Sequence, residues 1–470
     1  MRSPLAPEWL TVPDDTAAVD HNIFSSGVAR DDQEVTIQGV SVSQLVERYG
    51  SPLWVLDEND FRARARAYAD EFNAAFGPLC GEVDVYYASK ALLTVQVAQW
   101  VRDEGLCIDT ASGGEMAVAM RAGLEPVKIG LHGNNKSDDE LHLAISNRIG
   151  RIVVDSLAEL DRVHHMAQEL GITANVMLRL TPGVDASTHH HIATAHEDQK
   201  FGLSLTPAPH ADTSVAYQAV HKAAASDHIK LVGLHSHIGS QIFDSQGFET
   251  AATRMLEFIA LLAEEDISIN ELDIGGGYGI AYTEADDPAG PAVIAKNLAE
   301  HISQEITRLD IACPRISIEP GRSIAGPAGL TIYTVGTTKT VWVEHEGEHY
   351  PRRYVAVDGG MSDNPRPVLY DADYTAVLAN RISAAEPAFS RVVGKHCESG
   401  DIVVNAVYLP ADTDDGDLVV VPATGAYGHA MSSNYNMLPR PAIVAIKDGH
   451  AREIIRRETT EDLFAREVEL

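Results

Sequence analysis

Five short stretches of the sequence hold residue types that could do chemistry. YYASKA sets Lys90 after an apolar strand and before a helix, where an amine can form a Schiff base if it is neutral. A surface lysine at a strand end is the commoner role for any single lysine. GLHSHIGSQ places His237 and Ser240 after a buried strand, offering an imidazole face and a hydroxyl; a satisfied core histidine is the alternative. DIGGGYG supplies Gly275, Gly276 and Gly277, whose backbone N–H groups can approach a phosphate closely. It fails the dinucleotide fingerprint, because Ile280 stands where the third glycine belongs. EPGRS puts Glu319, Gly321 and Arg322 on one turn, and arginine suits a phosphate or carboxylate by paired hydrogen bonds; a plain surface ion pair is the other reading. GKHCESGD sets the Cys397 thiol beside Glu398, with no partner cysteine and no metal-ligand spacing nearby.

These residues need a scaffold that brings them together. From about residue 58 to 325 the chain alternates short apolar strands with amphipathic helices. The strand candidates are 83–89, 106–110, 127–133, 151–156, 175–183, 230–240, 271–279 and 315–323. Helical patterns such as 158–170 and 253–266 separate them. Eight strand–helix units in series predict a parallel (β/α)8 barrel, with a doubly wound sheet as competitor. Polar residues collect where the strands end: Lys90, Asp109, His132, Arg179, His237, Gly275 to Gly277, Glu319 and Arg322. In a barrel those ends share one mouth. After Arg322 the pattern becomes strands and turns. This predicts a second, mostly antiparallel β domain over 326–470, joined by strands from an N-terminal segment, 1–57, such as QEVTIQGV and SPLWVLD.

Composition narrows the function. The chain has 470 residues and a net charge of -32, from 68 acidic against 36 basic side chains. That excess argues against nucleic acid and against an anionic membrane surface. No apolar run approaches the ~18 residues of a membrane span. Four scattered cysteines without a CxxC, and an N-terminus without an apolar signal region, point to a reduced cytoplasmic protein.

The combined groups meet the needs of one cofactor, pyridoxal phosphate. It requires an amine for its aldehyde, a flat group against its ring and donors for its phosphate. It also requires a carboxylate that keeps its pyridine nitrogen protonated, so that the ring accepts electrons. No metal is expected. The histidine-rich stretch THHHIATAHEDQKFG, 188–202, has metal-like spacing but reads as a mobile loop near the mouth.

In YYASKA, DTASGGE, EDQKFGLS, GLHSHIGSQ, DIGGGYGI, EPGRSIAGPAG, VDGGMSDNPRPVLY, CESGD and GAYGHAMSSNYN the chain resembles the barrel-type, pyridoxal-phosphate-dependent basic amino-acid decarboxylases. Within them it is similar to the diaminopimelate decarboxylases over nearly its whole length. The resemblance implies that Lys90 forms the Schiff base and His237 stacks on the ring. Ser240, Gly275 to Gly277, Gly321 and Arg322 would hold the phosphate, with Tyr427 near it and near the substrate, and Glu319 would bond the ring nitrogen. Asp109 and Arg179 would support the ring. It further implies a two-fold homodimer in which the Cys397–Glu398 turn enters the partner's site, with Cys397 as the acid that protonates the intermediate. A thiol suits that task, since its ordinary pKa of ~8.5 leaves it largely protonated near neutral pH. The implied reaction turns meso-2,6-diaminopimelate into L-lysine and CO2, the last step of lysine biosynthesis. Arg322 and Arg366 would meet the distal carboxylate, Glu398 the distal ammonium, and Tyr370 would add a polar contact. Decarboxylation of ornithine or arginine is the rival within enzymes, and Arg366 counts against it. A catalytically dead regulator on the same fold is the rival outside them; the joint presence of Lys90, Glu319 and Cys397 argues against it.

Overall fold

The structure, a computed structural model, describes residues 2–31, 33–183 and 199–468. It divides into two compact units. One comprises Arg64–Gly279 and Pro288–Ser323; the other comprises Met1–Ala63, Ile280–Asp287 and Ile324–Leu470.

In the first unit eight parallel strands close on themselves: β1 (Asp84–Ala88), β2 (Cys107–Thr110), β3 (Ile129–Leu131), β4 (Arg151–Val154), β5 (Ala174–Thr181), β6 (Ile229–His235), β7 (Glu271–Asp273) and β8 (Arg315–Ile318). Each pairs with the next, β4 pairs with β5, and β8 returns to β1. Closure decides for the barrel over the doubly wound sheet. The strands are short runs of branched and aromatic side chains, buried on both faces as parallel strands require. The helix expected at 158–170 spans Leu157–Leu170. Ser156 caps it by accepting from the Glu159 N–H, and left-handed Gly171 ends it. The helix expected at 253–266 lies within and just beyond Gln246–Ala263.

The expected strands at 230–240 and 271–279 run past the real ones, which stop at His235 and Asp273. The residues beyond leave the sheet because Gly275 and Gly277 take φ of +75° and +109°, a backbone region that side chains disfavour. Those overruns are the loops that build the mouth.

The second unit is a mostly antiparallel β domain. Its main path runs through strands Ile402–Pro410, Pro387–Val393, Glu348–Val357, Gly329–His345, Leu53–Asp57, Ala442–Lys447 and His450–Ile455. Leu418–Pro422 pairs with Gly329–His345 and with Val377–Leu378. Among the described residues only two of its pairings are parallel, Glu348–Val357 with Pro387–Val393 and Ala442–Lys447 with Leu53–Asp57. All five residues of Leu53–Asp57 are buried. The stretch QEVTIQGV joins the same unit, but in a three-stranded sheet of its own, Val28–Arg30, Val35–Ile37 and Val40–Ser41. Among the described residues no helix is long and apolar enough to cross a membrane.

Leu53 sits between Ile332 and Ala442 with no exposed surface. Leu53→Ala should therefore cost about 2–5 kcal/mol in urea unfolding while the far-ultraviolet dichroism is retained. A loss under about 1 kcal/mol would show that the sheet does not depend on this strand.

Candidate active site

The barrel's strand ends enclose a cavity of about 320 Å³. Its lining includes Lys90, Asp109, His132, Arg179, His237 and Glu319. Lys90 reaches it from the single helical turn Ser89–Ala91 that follows β1. Asp109 stands near the end of β2, and Glu319 follows β8 directly. Thus six residues singled out from six different strand ends share one wall. Lys200 and Phe201 also line it. They belong to the end of the histidine-rich stretch, whose residues 188–198 lie outside the described residues. The Arg179 guanidinium lies 4.2 Å from the Phe201 ring centre.

His237 accepts a hydrogen bond at Nδ1 from the Gly276 N–H, at 3.2 Å. Burial, with Lys90 and Arg179 nearby, holds its pKa well below the ordinary histidine value. It is therefore a neutral ring carrying its proton on Nε2. The three glycines behind it tolerate no side chain. A Cβ on Gly275 would meet the Ser236 carbonyl at 2.5 Å, one on Gly276 the Glu319 carbonyl at 2.0 Å, and one on Gly277 the Gly239 carbonyl at 2.1 Å. Gly321 is pressed against Ala88, with a Cβ placed 2.8 Å from the Ala88 methyl. The Arg322 Nη2 donates to Ser240 Oγ at 2.9 Å.

Under this wall lies a cluster of buried charges. His132 Nε2 is 3.0 Å from Asp109 Oδ1 and 3.2 Å from Glu319 Oε1. His235, fully buried, places Nε2 3.1 Å from the same Glu319 oxygen. Arg151 Nη2 lies 2.5 Å from Asp273 Oδ2, 3.6 Å from Glu319 Oε1 and 3.8 Å from Asp109 Oδ1. Burial and the nearby Glu319 push Asp109 up to about 6 against the pull of His132 and Arg151. Burial alone would lower His132, but Asp109 and Glu319 raise it to about 9. Burial would likewise raise Glu319, yet His235 and His132 hold it well below the usual carboxylate range. The result is an imidazolium at His132 and an ionised Glu319 at neutral pH. Ligand atoms of His132, His235 and Glu319 lie within 4.8 Å of one another, a spacing a divalent ion could use. The Arg151 guanidinium already supplies positive charge beside that Glu319 oxygen.

The other residues named from the sequence lie in the β domain. Arg366 is buried, donates from Nη1 to the Tyr374 hydroxyl at 2.6 Å, and sits 4.2 Å from the Tyr282 ring centre. Tyr427, half-buried at φ +68°, is among the tyrosines that raise the Arg366 pKa. Tyr370 ends the short helix Arg366–Tyr370 with its ring exposed. Cys397 and Glu398 are exposed on one turn, where the Cys397 N–H donates to Asn436 Oδ1 at 3.2 Å.

The barrel groups fit pyridoxal phosphate. Lys90 could supply the amine, neutral His237 a flat face, and ionised Glu319 a partner for a protonated ring nitrogen. The side-chain-free glycine turn with the Ser240–Arg322 pair could hold the phosphate. Arg151, His235 and Asp273 were not singled out from the sequence. The one signal was an arginine opening the otherwise apolar RIVVDS and an aspartate closing LD before the glycines.

Residues 58–326 match the family model for the pyridoxal-binding domain of pyridoxal-dependent decarboxylases. The chain is 48% identical over 453 residues to the diaminopimelate decarboxylase of Mycobacterium tuberculosis, covering 95% of this chain and 98% of that one. It is 46% identical over 473 residues to that of Mycobacterium leprae, covering 99% and 97%. The crystal structure of diaminopimelate decarboxylase from M. jannaschii in complex with L-lysine superimposes with a TM-score of 0.85 at 30% identity, covering 95% and 98%.

The raised His132 pKa has a sign that can be checked. A group whose pKa is higher folded than unfolded stabilises fully below its unfolded value, ~6.5, and loses that contribution as pH rises through the folded value. The apoprotein should therefore lose stability between pH 6.5 and about 9. His132→Asn should flatten that slope by an amount on the order of 3 kcal/mol, read by urea unfolding at both pH values. An unchanged slope would show that His132 is not the imidazolium.

Proposed function

The chain belongs to the diaminopimelate decarboxylases, pyridoxal-dependent carboxy-lyases, and on that premise we propose that it removes the carboxylate from the D-centre of meso-2,6-diaminopimelate. The products are L-lysine and CO2, the last step of lysine biosynthesis. The observation that carries this reading is the meeting of Lys90, His237 and Glu319 on one cavity at the barrel mouth.

Bound pyridoxal phosphate supplies an electron sink for the pair left on Cα when the bond to the carboxylate breaks. The chain's own residues do the rest. Lys90 would supply the amine that holds the cofactor's aldehyde end. Ionised Glu319 would keep the ring nitrogen protonated, with His132 and His235 standing 3.2 and 3.1 Å from its Oε1. Neutral His237 would cover a ring face without adding charge. Ser240, Arg322 and the Gly275–Gly277 turn would hold the phosphate, Tyr427 would assist there, and Asp109 and Arg179 would support the ring. Cys397 gives its proton to the carbon that lost CO2.

We assign the protein to the cytoplasm, in keeping with four free cysteines, and to a two-fold homodimer in which the Cys397–Glu398 turn serves the partner's site. Support comes from the surface around that turn. Val368, Leu369 and Tyr370 are exposed on one short helix. A Cβ on Gly400 would touch Val368 at 3.6 Å, and exposed Tyr435 stacks on His396 next to Cys397. An apolar patch around a polar turn suits an interface. At the substrate's far end, Arg366 and Arg322 take the distal carboxylate, Glu398 the ammonium, and Tyr370 a polar contact. Tyr374 and Tyr282 hold the Arg366 fork in one orientation before any ligand arrives.

Two variants test these roles by CO2 release. Cys397→Ala should bind cofactor and substrate but turn over about a hundredfold more slowly; near wild-type turnover would sink the acid assignment. Arg366→Ala should raise KM for diaminopimelate by about a hundredfold, as expected when a charged carboxylate loses its partner. An unchanged KM would remove Arg366 from the distal site.

A further inference from the structure

We infer that Arg151 is a positioning residue for the cofactor: one buried guanidinium fixes both the Glu319 carboxylate at the ring end and, through Asp273, the glycine turn at the phosphate end. This rests on the proposed reading of the cavity as a pyridoxal phosphate site and deepens it.

Arg151 opens β4 and is 1% exposed. Its Nη1 donates to Ser317 Oγ at 2.9 Å, and that hydroxyl donates in turn to Asp273 Oδ2 at 2.6 Å. Nη2 reaches the same Asp273 oxygen at 2.5 Å. The guanidinium lies over the Tyr86 ring, 3.5 Å from its centre. Fork, hydroxyl and ring therefore leave the group one orientation.

Two branches leave it. Asp273 uses its other oxygen, Oδ1, to accept from the Gly275 N–H at 2.7 Å. Gly275 has φ +75° and no room for a side chain, so this bond is an anchor the turn cannot replace with a side chain of its own. The second branch is direct: Nη2 stands 3.6 Å from Glu319 Oε1. The distance from ring nitrogen to phosphate in the cofactor is fixed by its covalent frame, so a site for it needs both ends held to one reference. Arg151 is that reference. Lysine would keep the charge but has no planar fork to span Ser317 and Asp273 while lying on Tyr86.

The test compares binding of pyridoxal phosphate and of pyridoxal, which lacks the phosphate, to the apo forms of wild type, Arg151→Met and Arg151→Lys. Thermal melting of each apoprotein is measured alongside, with the absorption spectrum of each bound form. The expected result is at least about a tenfold loss of pyridoxal phosphate affinity in both variants. Pyridoxal should weaken by less, because only the ring end is then at stake, so the ratio of the two affinities falls. The bound spectrum should shift as the ring nitrogen loses its fixed carboxylate. If Arg151→Met does not fold, Arg151→Lys decides. Affinities within about threefold of wild type, with only the melting temperature lowered, would reduce Arg151 to a structural residue and overturn the inference. An equal loss for both ligands would overturn it too, by removing the phosphate branch. Failure of wild type itself to bind pyridoxal phosphate would instead sink the reading of the cavity.

Discussion

Asp109, Asp273 and Glu319 are carboxylates taken out of water, and much of the barrel's interior is arranged to make that tolerable. An unpaired buried charge costs several kcal/mol, whereas a paired one with all its hydrogen bonds is held at little net cost. Arg151 and His132 provide the pairing, Ser317 Oγ and the Gly275 N–H donate to Asp273, and His235 stands 3.1 Å from Glu319. These contacts restrict the backbone that bears them. Geometry at the mouth is thus a consequence of electrostatic necessity one layer below it.

The β domain also holds buried carboxylates, Asp401 and Asp363. Asp401 accepts from the Met361 N–H at 2.6 Å and from both the His396 N–H and ring, at 2.8 and 2.9 Å. It thereby ties the turn that carries Cys397 to the loop that leads to Arg366. Asp363 accepts from the Gly360 N–H at 2.8 Å and from the Tyr333 hydroxyl, and burial pushes its carboxyl up to about 7. In both units a buried carboxylate grips backbone beside residues named from the sequence, Asp273 at Gly275 and Asp401 at His396.

Much of this was legible in the sequence, for a physical reason. Barrel strands are short, apolar and ended by polar or glycine residues, so LCIDT and RISIEPG declare both the element and its functional end. The overruns at GLHSHIGS and IGGGYG came from counting apolar residues through a bend that positive-φ glycines impose. Other features were hidden because they depend on distant partners. Arg151 meets Asp273 and Ser317 only after the barrel closes, and nothing local to RIVVDS says so. QEVTIQGV has a strand's pattern, yet pattern does not name a partner, and it pairs within its own small sheet. Likewise the stretch 280–287 follows the glycine turn without a break in composition but belongs with the β domain.

One feature of that domain bears on how the chain is made. Leu53–Asp57 is fully buried between Gly329–His345 and Ala442–Lys447. On a ribosome adding about 5–20 residues per second, its first neighbour emerges only after tens of seconds. By then all eight barrel strands, the last ending at Ile318, have left the ribosome. For that interval an apolar strand with two unpaired edges waits at the head of the nascent chain, the kind of segment that chaperones shield and that misassembles when they do not. A sheet that joins Leu53–Asp57 to Gly329–His345 and Ala442–Lys447 is completed only after the barrel strands, so synthesis runs barrel first and sheet last.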